Sequence, residues 1–149
     1  MDKVKQGVEN IEKDHNDIDE LIRKDTEQVD KMYGETFDAY QKIESKNGNI
    51  TTDQFNNFYD KYIHLFITAK NMTEELIERK KHTDLIERAK IDVAILNLGR
   101  KALTSTGRLV FVISSLRRNL KKQQDLFSQI DSKLMDNSVI NRNNNFKID

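Results

Sequence analysis

The side chains of this chain that could do chemistry are three histidines, a dense set of carboxylates and a few serines. His15, His64 and His82 could ligate a metal or move protons. No two of them, however, stand at the i, i+3 or i+4 spacing that brings helical ligands to one ion. His15 falls on the apolar seam of the first expected helix, where a polar residue adjusts register. Asp14, Asp17 and Glu20 could act as acid and base only across a cleft that splits their pKa values; their spacing puts them on the charged side of a helix. Ser105, Ser114 and Ser115 have no glycine-rich elbow or adjacent base, and no phosphate-cradling glycine loop occurs. Cysteine is absent, which removes disulfides, thiolate zinc sites and cysteine nucleophiles. The expectation is a chain that is not an enzyme, with no metal, no cofactor and no small-molecule substrate.

The stretch from Asn47 through Gly48 and Asp53 to Phe55 resembles the second half of an EF-hand loop. With Gly48 at the sixth loop position, however, Ile43, Ser45 and Asn47 fall where the first ligands belong. Gln54 falls where the bidentate Glu should stand. A plain helix–turn–helix connection is the reading that remains.

The basic residues carry the clearest partner chemistry. Net charge is zero, yet residues 1 to 50 hold 13 acids and 8 bases and residues 81 to 149 hold 7 acids and 13 bases, so the two ends should attract. No acid occurs between Asp92 and Asp125, where Arg100, Lys101, Arg108, Arg117, Arg118, Lys121 and Lys122 all fall. On a helical wheel Arg100, Arg108, Arg118, Lys121 and Lys122 oppose Leu109, Ile113, Leu116 and Leu120, an amphipathic cationic helix. Such a face suits phosphates of nucleic acid or an anionic lipid surface. Packing against the acidic first helix is the favoured expectation.

The elements that must position these residues are long helices. Proline is absent and glycine occurs five times, so little interrupts helical hydrogen bonding. Hydrophobic residues at 36% against charged residues at 34% suit helices with one buried stripe each. Apolar steps of three and four predict helices over about residues 2–46, 52–81 and 84–135. A register slip is expected near Asp25 and Thr26, a cap at Thr51 or Thr52, a turn near 81–84 with Thr83 as cap, and a weak point at Gly107. Residues 137–149, polar and rich in Asn, read as a flexible tail after a single elongated domain of 1–136.

Two short segments carry resemblances. The run from Ile113 to Ile130 resembles a Gln-class SNARE motif, with Asn119 or Gln123 near its polar layer, which would imply a coiled-coil protein. Phe127-Ser-Gln-Ile-Asp131 and Tyr40-Gln-Lys-Ile-Glu44 are similar to the aromatic-xxx-acid signals of small helical type VII secretion substrates and their targeting factors. Neither resemblance assigns the chain to a family.

The fold class expected is therefore all-α: three long antiparallel helices in a bundle, or a coiled-coil-like hairpin with a third helix folded back. Phe55, Tyr59, Tyr62 and Phe66 form an aromatic stripe that three helices need not cover. With Leu109, Ile113, Leu116, Leu120 and Phe127 it is the expected interaction surface for another protein or a second copy. The N-terminus is charged from Asp2 onward and the apolar run 109–113 is too short to span a bilayer, so a soluble, cytoplasmic location is expected.

Overall fold

The computed structural model describes the backbone of residues 2–45 and 49–148 and the side chains of 17–45 and 49–137. His15, Asp14 and the turn at 46–48 lie outside the described side chains. The chain is all-α, with helices α1 (Asp2–Glu44), α2 (Thr52–Lys80) and α3 (Leu85–Ile148) and no strand among the described residues. It divides into two units, Met1–Val110 and Phe111–Asp149. Helix α3 runs on to Ile148, past residue 135, where the sequence reading ended it.

In the first unit three helices pack against each other, and individual contacts fix their directions. Lys90 pairs with Asp19 at 3.1 Å, and Lys101 with Asp30, so α1 and α3 run the same way. Tyr62 bonds Thr106 at 2.8 Å and Lys80 bonds Asp92 at 2.6 Å, so α2 runs opposite to α3. The Tyr40 and Phe58 rings meet at 6.0 Å, at the end of the unit where α1 gives way to α2.

Each helix supplies a seam at heptad spacing. On α2 it is Phe58, Tyr62, Leu65, Ala69, Met72 and Leu76, all buried. On α3, Ile91, Ala94, Leu98 and Ala102 join the same core. Fully burying a Leu, Ile or Phe stabilises by roughly 1.5–3 kcal/mol before entropy is charged.

The α1 seam corrects one expectation. Ile18, Asp25, Val29, Thr36, Ala39 and Ile43 are buried, with Ile22 and Met32 packed alongside. That is an unbroken alternation of four- and three-residue steps, so there is no register slip. Asp25 and Thr36 are polar residues at regular seam positions. Thr36 satisfies its hydroxyl locally by donating to the Met32 carbonyl at 2.8 Å.

The helix ends follow local chemistry. Thr51, extended at φ −81°, accepts from the Gln54 N–H at 3.1 Å, while its own N–H donates to Gln54 Oε1 at 3.2 Å, a capping box. At the second turn Asp84, not Thr83, caps α3: its carboxylate accepts from the Glu87 N–H at 2.8 Å. A carboxylate there also meets the positive end of the helix dipole. The Thr83 hydroxyl instead donates to the Lys80 carbonyl at 2.9 Å, closing α2. Gly107 lies inside continuous helix.

Candidate functional site

An open cavity of about 570 Å³ at the α2–α3 turn is lined by Asp17, Glu78, Asp84 and Glu87 together with Arg79 and His82. Two of its acids are already engaged: Asp84 caps α3, and Glu78 accepts from Lys81 at 2.9 Å. That bond, followed by the Lys81 charge, holds the Glu78 carboxyl below its ordinary range, the opposite of what a general acid needs. His64 and His82 are both exposed. Among the described residues no group of three or more His, Cys, Asp or Glu could hold a metal ion.

The seven bases of the cationic stretch divide by role. Lys101 is half-buried in its pair with Asp30. Arg108 lies over three α1 rings, its guanidinium carbon 5.2 Å from the Tyr33 centroid, 4.5 Å from Phe37 and 5.6 Å from Tyr40. With Lys90 on Asp19, these contacts bind the basic third helix to the acidic first one. Arg100, Arg117, Arg118, Lys121 and Lys122 remain exposed; Arg118 donates to Ser115 Oγ at 3.3 Å.

The apolar candidates divide as well. Tyr62 is core, not surface: it is buried and its hydroxyl is bonded to Thr106. Phe58, absent from the expected surface set, is the fully buried aromatic of α2. On either side of the Tyr62–Thr106 bond, along both helices, apolar side chains are uncovered. Tyr59 and Phe66 stand three residues before and four after Tyr62, so they share its side of α2. Leu103 and Val110 stand in the same relation to Thr106 on α3. Antiparallel packing sets Tyr59 level with Val110 and Phe66 level with Leu103. Exposures are 41% for Tyr59, 39% for Phe66, 68% for Leu103 and 57% for Val110. Half-buried Phe55 stacks on Tyr59 at 6.0 Å, and Phe66 meets Tyr62 at 6.1 Å, which holds the α2 rings in place.

Leu103 and Val110 were missed by sequence reasoning, although a signal existed. Leu96, Leu103 and Val110 recur at seven-residue spacing, and all three are exposed. They form a second apolar row on α3, turned away from the buried one: Leu103 stands about 140° around the helix from Leu98.

In the second unit, Ile113 and Leu116 are half-buried and Leu120 and Phe127 exposed, as are Ile130 and Leu134. Leu109, which belongs to the first unit, is half-buried. Among the described residues no helix is long and apolar enough to cross a membrane. Comparison with models of protein families, with curated proteins and with solved structures gave no match.

Proposed function

We propose that this chain is a non-catalytic interaction module, an adaptor, scaffold or chaperone-like bundle that binds another protein through the α2–α3 face. The observation that carries this reading is the apolar patch of Tyr59, Phe66, Leu103 and Val110, in register across two helices and left exposed. Contiguous exposed apolar surface on a folded unit marks an interaction site more often than scattered single residues do. Aromatic side chains held by neighbouring rings lose little entropy on binding, which favours them as anchors. A partner helix laid between α2 and α3 would cover both rows, as a fourth helix does in a bundle.

The test is affinity purification of the chain from its native cell, compared with the variant Phe66→Glu/Leu103→Glu. Both positions lie outside the core, so helicity should be unchanged and the bound protein lost. A complex that survives both substitutions would contradict the reading.

The alternative of anion binding keeps five of the seven bases, since Lys101 and Arg108 are engaged with α1. Phosphate binding through Arg100, Arg117, Arg118, Lys121 and Lys122 would weaken steeply with log salt, whereas apolar docking would not.

A further inference from the structure

We infer that the second unit pairs with the second unit of another copy as an antiparallel two-stranded coiled coil centred near Asp125. This self-pairing uses a different surface from the α2–α3 face, and the variants below separate the two. The helix carries a seam at positions 113, 116, 120, 123, 127, 130 and 134, alternating steps of three and four, the spacing of coiled-coil a and d positions. Its apolar members from Leu120 onward are uncovered, Phe127 at 64% and Leu134 at 60%.

Charge selects the occupant and its direction. Residues 111–124 contain four bases and no acid, whereas residues 125–137 contain three acids and one base. A second copy laid antiparallel sets the basic half of each helix against the acidic half of the other. A parallel copy sets like against like. The seam agrees with the charge. Centred on Asp125, the antiparallel register puts Leu116 opposite Leu134 of the second copy, Leu120 opposite Ile130 and Gln123 opposite Phe127. At the flanks Arg117 meets Asp131 of the second copy, a pair made twice by the two-fold symmetry. Leu126, exposed at 56%, meets its own equivalent over the centre. In a parallel pair the flanking contact of Leu126 would be Asp131, an apolar side chain against a charge, and Arg117 would face Val112.

The experiment uses the full chain, which has no native cysteine. Sedimentation equilibrium should give a dimer. A spin label at Asp136→Cys should report an axial separation of about 33 Å, set by the 22-residue offset at ~1.5 Å per residue. In a parallel pair the labels would lie side by side. Arg117→Asp should weaken dimerisation on the order of tenfold, because each repulsion occurs twice, and Arg117→Asp/Asp131→Arg should restore it. A monomer at all concentrations, labels side by side, or an equal loss in the single and double variants would overturn the proposal. A dimer that Phe127→Asp leaves intact but Phe66→Glu/Leu103→Glu abolishes would also overturn it while leaving the α2–α3 reading standing. Loss of the partner protein with the dimer unchanged is the opposite pattern and is the one expected.

Discussion

The Arg108 guanidinium sits 4.5 Å from the centre of the Phe37 ring, with Tyr33 and Tyr40 completing a three-ring cradle on α1. The three rings follow one another at four and three residues along a single helical face, so α1 alone supplies all three rings of the cradle. One Arg108 nitrogen is buried there without a hydrogen-bond partner. The rings must therefore supply the attraction that desolvation removes. A cation over aromatic faces contributes about 0.5–2 kcal/mol, more when dehydrated, and the Arg108 stem adds packing.

Arg108→Ala should therefore destabilise the chain by about 1–2 kcal/mol. Arg108→Lys, which keeps the charge but loses the planar stacking, should recover only part. Urea unfolding followed by far-UV circular dichroism measures both. Equal stability in all three proteins would remove the cradle from the account.

Asp25 gives a pH prediction. It is buried in the α1 seam, with one carboxylate oxygen lacking a partner. Burial, followed by the charge of Glu75, raises its pKa above the ordinary carboxylate value. A raised folded-state pKa means that the native chain binds the proton more tightly than the unfolded chain does. Its stabilising effect is complete below the unfolded value near 3.9 and is lost as pH rises through the higher folded value. Asp25→Asn should accordingly be more stable than the parent at neutral pH, by about 1–2 kcal/mol. That advantage should shrink toward zero as pH falls to about 4. Unfolding curves at neutral and acid pH check it; a destabilised Asn variant at neutral pH would contradict it.

Phe58 and Phe66 lie just over two turns apart on α2 and differ in consequence. Phe58 is fully buried and Phe66 is 39% exposed. Phe58→Ala should cost about 3–5 kcal/mol. Phe66→Ala should stay within about 1 kcal/mol on folding while weakening partner binding. Comparing thermal unfolding of the two variants tests the assignment of core and surface on α2.

Gly34 and Gly107 are exposed helix-interior glycines, and a Cβ at either would meet nothing within 4 Å. Alanine at each should raise stability by about 0.5–1 kcal/mol through helix propensity alone. Differential scanning calorimetry should show an upward shift in Tm. A fall at Gly107→Ala would mean that the helix needs its freedom there.

The all-α class and its three helices were legible in the sequence because long three- and four-residue periodicity, missing proline and polar turn residues all agree. Asp25 was not, since a buried acid interrupts the hydrophobic signal without interrupting the helix. The seam passes through it because its neighbours Ile18, Val29 and Ile43 stay in phase. Tyr59, Tyr62 and Phe66 were visible as one aromatic stripe. Periodicity alone cannot say which edge a neighbouring helix covers, and only the Tyr62–Thr106 contact divides the stripe into core and surface. Thr83 and Asp84 are adjacent candidate caps, and the choice between them rests on which oxygen reaches the Glu87 N–H.

Docking on the face between α2 and α3 is what the proposed function requires. Its most direct measurement is site-specific photo-crosslinking in the native cell, with the photoreactive group at Leu103 and a control at exposed Lys24 on α1. Crosslinking to one defined protein is expected from position 103 and none from position 24. Absence of any adduct at 103, or the same adducts from both positions, would contradict it.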